Sequence, residues 1–231
     1  MRTGIFPSVP SVPIAVLASG HGSNLQALQE ALTGEVPGRI TLVISDRREA
    51  GALAKARSFG IAAEHVTADG SEAGPLLALL RQHRIALVVL AGYLKRVPEA
   101  VVAAFRGRIV NVHPALLPAF GGPGMYGRHV HEAVLKSGAR VSGATVHLVD
   151  EQYDHGAILA QWPVPVRAGD TPETLAARVL EIEHCLLPVV VSLCCRRIAQ
   201  GATGDLAVAL SDGSFTLSST PTDFRHALVP A

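Results

Sequence analysis

The stretch "IVNVHPALLPAF", residues 109–120, sets an amide and an imidazole one residue apart at the end of an apolar run. Ile109, Val110 and Val112 read as a buried strand. Residues two apart on a strand share a face, so Asn111 and His113 point the same way, with Pro114 stiffening the exit. A side-chain amide can donate to a developing oxyanion, and an imidazole titrating near neutrality can move a proton. The pattern alone also allows both residues a structural role.

Two further stretches carry chemistry of the right kind. In "SGHGSN", residues 19–24, Gly20 and Gly22 permit tight turns, and Ser23 and Asn24 begin a helix. Backbone N–H groups and the helix dipole make an anion site there. The stretch lacks the third glycine of GxGxxG and the lysine of a P-loop, so a single phosphate on a small metabolite fits it better than a dinucleotide or triphosphate. A helix cap without a ligand is the alternative. In "DEQYDHG", residues 150–156, three carboxylates follow a strand that carries His147. A carboxylate close to His113 would stabilise its imidazolium and raise its pKa; the alternative is a solvated acidic turn. No HxxxH spacing supports a metal, and the absence of GxSxG disfavours an acyl-enzyme.

The elements that must position these residues follow from periodicity. "PIAVLA" (13–18), "RITLVIS" (39–45), "AAEHVTA" (62–68), "IALVVLAG" (85–92) and the run at 109 read as strands. Between them lie the helical stretches "LQALQEAL", "DRREAGALAKARSFG", "SEAGPLLALLRQH" and "VPEAVVAAFRG", the last with Pro98 near its first turn. Strands alternating with helices predict βαβ units, and strands that are apolar throughout predict burial on both faces. Past residue 140, "SGATVHLVD" and "AILAQWPVPV" are two strands with a short connection. A long helix over 171–198 follows, with Thr171 as N-cap and Pro172 at its first position. Asp212-Gly213 signals a hairpin in the tail. The fold class is α/β: a doubly wound, mostly parallel sheet with helices on both faces, an antiparallel strand addition and a long C-terminal helix. The expected organisation is an extended lead-in over 1–12, one domain over 13–198, and a tail over 199–231.

Composition narrows the partners. Twenty basic residues against nineteen acidic ones leave a formal charge of +1, and aromatics are 4% of the 231 residues. Neither a nucleic acid nor an anionic membrane is expected as a partner. Cys185, Cys194 and Cys195 lie on one predicted helix without CxxC spacing, which suits reduced, structural thiols in the cytoplasm. The N-terminus lacks the apolar run of a secretory signal.

Taken in order, "VLASGHGSNLQAL", "LVVLAGYLKRV", "IVNVHPALLPAF", "HVHEAV", "SGATVHLVDEQYDHGAIL" and "AARVLEIEH" resemble the phosphoribosylglycinamide formyltransferase family over about residues 13–195. The resemblance implies transfer of a formyl group from 10-formyltetrahydrofolate, a co-substrate, to the amine of glycinamide ribonucleotide, without a metal. It implies that Asn111 holds the formyl oxygen, His113 handles the proton, and Asp154 orients and tunes His113, with His147 behind the acid loop supporting Asp154. Gly22, Ser23 and Asn24 would hold the phosphate, and Glu183 the glycinamide amine. The folate would lie along Leu94, Lys95, Arg96 and Val97, its pterin meeting the backbone of the loop carrying Asp150, Glu151, Gln152, Tyr153 and Asp154. The partners implied are these small molecules alone, with a monomer or homodimer as the assembly. Where some members place a folate-contacting arginine, "TADGSEAGP" has none, and "FGGPGMYGRHVHEAV" is longer and richer in glycine than the compact family form. A relative that hydrolyses 10-formyltetrahydrofolate shares Asn-x-His and the distal Asp but usually adds an N-terminal regulatory domain. One that formylates initiator tRNA adds a C-terminal barrel. About a dozen residues precede the first strand here, and few follow residue 200, so the transferase is expected and the hydrolase is the alternative.

Overall fold

The computed structural model describes residues 11–33, 36–67, 73–202 and 206. Most of the lead-in and the hairpin at Asp212-Gly213 lie outside the described residues. The chain runs β1 (Val12–Leu17), α1 (Ser23–Ala31), β2 (Gly38–Ser45), α2 (Gly51–Ser58), β3 (Ala62–His65), α3 (Ala73–Gln82), β4 (Leu87–Leu90), α4 (Glu99–Ala104) and β5 (Ile109–His113). It continues through α5 (Arg128–Ser137), β6 (Val141–Leu148), β7 (Ile158–Pro165) and α6 (Pro172–Ala199).

The strands form one sheet in the order β3-β2-β1-β4-β5-β6-β7. The first five are parallel, while β6 runs antiparallel to β5 and β7 antiparallel to β6. Apolar residues of alternating strand parity feed two cores. Val16, Val89, Val110 and Val112 pack with α1, α2, α5 and α6 on one face. Leu17, Leu42, Val88 and Ile109 pack with α3 and α4 on the other. All four residues of β4 are buried, as a central parallel strand covered on both faces requires. The expected α/β architecture is therefore present, with β6 and β7 as its antiparallel addition.

Several boundaries differ from the sequence reading for local reasons. α2 starts at Gly51 rather than at Asp46, because the intervening residues form a turn: the Arg47 N–H donates to Ser45 Oγ at 3.1 Å and the Ala50 N–H to the Arg47 carbonyl at 3.2 Å. Pro98 is the N-cap of α4 rather than a residue of its first turn. α5 is a helix that strand and helix periodicity leaves unassigned. β1 opens at Val12 and α6 closes at Ala199, each one residue from the expected limits. Cys194 and Cys195 are buried in the first core, where loss of solvent pushes both thiols up, Cys195 to about 12; Cys185 is exposed. Among the described residues no helix is long and apolar enough to cross a membrane.

α6 begins where the sequence places it. Thr171 Oγ1 accepts from the Thr174 N–H at 3.3 Å, and Thr174 Oγ1 accepts from the Thr171 N–H at 2.9 Å, a reciprocal cap. Just before it, Asp170 takes both arms of Arg178, at 2.7 and 3.0 Å, which holds its carboxyl well below the usual carboxylate range. Thr171→Ala is expected to lower unfolding stability by about 1 kcal/mol, with Thr171→Ser recovering most of it. Chemical denaturation of the three proteins checks this.

Candidate active site

A doubly wound sheet opens a crevice at the carboxyl ends of its strands, where neighbouring strands lead away in opposite directions. Here β1 has β2 on one side and β4 on the other, so the crevice lies between the segments that leave β1 and β4. A cavity of about 780 Å³ occupies this position. It is lined by 20–24 after β1, 90–97 after β4, 111–114 at the end of β5, 122–128 with His131, 147 and 149–154 after β6, and the inner side of α6 as far as Glu183. Every site residue singled out in the sequence lines it.

The pairing of β5 with β6 sets the polar cluster. Asn111 lies opposite His147 and His113 opposite Thr145, so the Asn111 amide reaches His147 Nε2 at 3.0 Å. The other ring nitrogen, Nδ1, is 2.7 Å from the Leu148 carbonyl. A carbonyl only accepts, so Nδ1 carries the proton and Nε2 accepts from Asn111. This orients the amide and leaves its second N–H for another acceptor. His147, expected to support Asp154 from behind, has its Nε2 3.7 Å from Asp154 Oδ1 and holds Asn111 as well.

His113 is only 3% exposed. Its Nε2 is 2.8 Å from the Phe120 carbonyl, so by the same reasoning Nε2 carries the proton and Nδ1 the lone pair. Nδ1 lies 3.6 Å from Asp154 Oδ2. The sequence reading had this carboxylate raise the histidine's pKa. The net direction is the opposite: burial outweighs the attraction of Asp154 and the Phe120 carbonyl, and the pKa falls below its ordinary value. His113 therefore rests neutral, with Nδ1 the nitrogen able to take a proton.

Asp154 sits at positive φ, 53°, in the left-handed region. Burial alone would raise its pKa, but the net direction is below the ordinary carboxylate value: the Gly122 N–H donates to Oδ2 at 2.9 Å, and ionisation is favoured further whenever His147 or His113 carries a proton on the nitrogen facing it. The acid loop closes at Gly156, where a Cβ would stand 1.9 Å from the Leu148 carbonyl oxygen, so only glycine lets the loop return to β7 there.

On the other side of the cavity, Gly22 is the N-cap of α1; its φ of 74° suits glycine, and a Cβ there would meet Ala52 Cα at 2.8 Å. No side chain caps α1, so its first-turn N–H groups, at Ser23 and Asn24, are left for a ligand. The Asn24 side chain is already engaged: its Nδ2 donates to Glu183 Oε2 at 2.8 Å, while its buried Oδ1 has no partner. Any anion contact from Asn24 is therefore through the backbone. Burial lifts the Glu183 carboxyl to about 7, against a smaller downward pull from Asn24.

The residues assigned by resemblance to the folate flank the cavity as two segments. Leu94 is exposed, its N–H held by the hydroxyl of Ser19, which donates in turn to Asp46. Val97 is buried in the second core. Arg96 donates to Glu99, at 3.0 Å, and to the Glu151 carbonyl, at 2.8 Å, and Arg106 pairs with the Glu151 carboxylate. These contacts tie the acid loop to the 94–97 segment. Asp150 caps the loop's turn by accepting from the Gln152 N–H, and Tyr153 is exposed. Among the described residues no cluster of His, Cys, Asp and Glu has the makings of a metal site. Sequence reasoning missed Ser19, the Phe120 carbonyl and His131. Only His131 left a signal, as a histidine on the buried face of "HVHEAV".

Comparison with known proteins places this geometry among relatives. A family model described as formyl transferase matches residues 12–191. The chain is 48% identical over 189 residues to "Phosphoribosylglycinamide formyltransferase, chloroplastic" of Arabidopsis thaliana, covering 79% of this chain and 65% of that protein. It is 38% identical to "Phosphoribosylglycinamide formyltransferase" of Escherichia coli strain K12, covering 78% of this chain and 85% of that protein. The match to a further plant relative, from Vigna unguiculata, covers 62% of that protein, so the chain spans less than two thirds of these plant relatives' length. Among solved structures, phosphoribosylglycinamide formyltransferase from Brucella melitensis superposes with TM-score 0.74 at 41% identity, covering 80% of this chain and 96% of that one. Glycinamide ribonucleotide transformylase 1 from Symbiobacterium toebii superposes with TM-score 0.77 at 37% identity, covering 84% and 92%.

The raised pKa of Glu183 has a consequence for stability. The folded state holds this proton more tightly than the unfolded chain, where the ordinary value is 4.5. The penalty for ionising the buried carboxyl is absent below about pH 4.5, grows as pH rises and is complete above about 7, where it reaches on the order of 3 kcal/mol. Glu183→Gln keeps an acceptor for Asn24 and removes the charge. Its melting temperature relative to the wild type is expected to climb from pH 5 to 7 and then level off; a difference independent of pH would show that Glu183 does not titrate there.

Proposed function

The chain belongs to the formyl transferase family, and from that premise we propose that it transfers the formyl group of 10-formyltetrahydrofolate to the amine of 5'-phosphoribosylglycinamide, a step of purine biosynthesis. The observation that carries the reading is the joint placement of the Asn111 amide, the neutral His113 and the ionised Asp154 on one wall of a cavity that also holds an uncapped helix N-terminus.

An amine attacking a formyl carbon gives a tetrahedral oxyanion bearing a proton-rich nitrogen. Asn111, oriented by His147, donates its second N–H to that oxygen, which is where charge develops. His113 takes the proton the amine must lose at Nδ1, since Nε2–H is spent on the Phe120 carbonyl. The imidazolium so formed faces Asp154, whose negative charge stabilises it until the proton passes to the departing folate nitrogen. Gly22, Ser23 and Asn24 hold the ribonucleotide phosphate through backbone N–H groups, and Glu183 receives donors of the ribonucleotide from α6. The folate lies along Leu94, Lys95, Arg96 and Val97, and its ring meets the backbone of 150–154. Holding two substrates against each other supplies much of the remaining acceleration. No resident metal or covalent intermediate takes part. Both co-substrates are small molecules, and the three free cysteines suit a reducing cytoplasm. The hydrolase alternative draws no support from the relatives, which are named for transfer.

Tetrahydrofolate release from 10-formyltetrahydrofolate, followed with and without glycinamide ribonucleotide, tests the reading. Release that requires the ribonucleotide is expected; equal release without it would make the protein a hydrolase. His113→Ala and Asp154→Ala are each expected to cut turnover by roughly 100-fold or more, and near-normal turnover in both would overturn the assigned roles.

A further inference from the structure

His131 has no part in the mechanism above, yet it is one of the few polar residues buried among the described residues. Val130, His131 and Val134 form the buried side of α5, and by periodicity alone His131 would be a core histidine. A core histidine normally satisfies both ring nitrogens, since a buried polar atom without a partner costs stability. His131 does not. It is only 4% exposed, and its Nδ1 is enclosed with no hydrogen-bond partner. The residue nevertheless lines the cavity, so Nε2 is the nitrogen left to face it.

The state of the ring follows from that arrangement. An enclosed bare lone pair is a smaller loss than an enclosed N–H without an acceptor, so the proton belongs on Nε2, directed to the cavity. Burial first, and then the nearby His113, hold the pKa of His131 below its ordinary value, and the ring is a neutral donor. A neutral donor is poorly matched to a phosphate and well matched to an uncharged oxygen. α5 packs against α6, whose Ala176, Ala177, Leu180 and Glu183 form the adjoining wall. That wall belongs to the ribonucleotide in the reading above, on which this inference rests.

We propose that His131 contacts the acceptor substrate, its Nε2–H donating to an uncharged oxygen of the ribonucleotide, either a ribose hydroxyl or the glycinamide carbonyl. The orphaned Nδ1 is then the cost of presenting a fixed, neutral donor beside the reacting groups.

Calorimetric titration of glycinamide ribonucleotide, ribose 5-phosphate and tetrahydrofolate into wild type, His131→Leu and His131→Gln tests the proposal, with melting temperatures measured alongside. His131→Leu removes the donor and also the enclosed unpaired nitrogen, so it is expected to melt no lower than wild type while binding the ribonucleotide roughly 3- to 10-fold more weakly. His131→Gln, which restores an N–H at a similar reach, is expected to recover most of that affinity, and tetrahydrofolate affinity is expected to stay unchanged. Loss for both ribose 5-phosphate and the full ribonucleotide assigns the contact to a hydroxyl; loss for the full ribonucleotide alone assigns it to the carbonyl. Unchanged ribonucleotide affinity in His131→Leu, or an equal loss for tetrahydrofolate, overturns the proposal while the transferase reading stands. A wild type that binds tetrahydrofolate but no ribonucleotide overturns both.

Discussion

The antiparallel register between β5 and β6 is the constraint on which the rest of the site depends. It sets Asn111 against His147 and His113 against Thr145. A slip of one residue would turn these side chains to the opposite face, toward the core under α6. Thr145 extends the arrangement beyond the strands. Its hydroxyl donates to the Ala115 carbonyl at 2.6 Å and accepts from the Leu117 N–H and from Gln161 on β7, both at 3.0 Å. The turn after His113 is thereby fixed, and with it the segment that delivers the Phe120 carbonyl to His113. β6 runs back along β5 until Leu148 stands opposite Val110, near the start of β5, and the acid loop that follows must turn back toward the tip of β5 for Asp154 to reach His113.

Low dielectric surroundings then set the protonation states. The same burial that keeps His113 neutral would also neutralise Asp154, were it not for the Gly122 N–H that donates to it and the imidazoles able to take on positive charge beside it. A neutral imidazole beside an ionised carboxylate is a proton acceptor whose charged product is already provided for. Glu183 lacks such company. Among the described residues only Asn24 donates to it, and burial lifts its carboxyl to about 7. Two acids in one cavity thus differ in charge because their neighbours differ, and the cavity's two ends differ in character with them.

The cavity combines walls of different origin. The segments after β1 and β4 come from the parallel half of the sheet and lie at the point where strand order reverses, a location that belongs to the doubly wound architecture. Asn111, His113 and Asp154 come from the border with the antiparallel half. Solved structures of 37 to 41% identity superpose over 80 to 84% of this chain, a span too long to be confined to the parallel half.

Much of this was legible in the chain. Apolar runs of strand length separated by helical stretches required a doubly wound sheet, because only burial on both faces accommodates "IALVVLAG". Thr171 and Pro172 located the start of α6 to the residue, because capping is a local interaction. The two-residue period put Asn111 and His113 on one face without reference to anything distant. What the chain could not express were relations between segments. Asn24 and Glu183 are 159 residues apart and meet as a hydrogen bond. His147 stands against both Asn111 and Asp154, and His131 gained its unpaired nitrogen only when α5 docked beside the cavity. The direction of the His113 shift belongs to the same class: a carboxylate nearby argues for a raised pKa, and only the depth of burial decides that it falls. Local propensity and periodicity act over a few residues and survive in the sequence, whereas desolvation and cross-strand partnership are sums over everything that surrounds a group and exist only once the chain has closed around it.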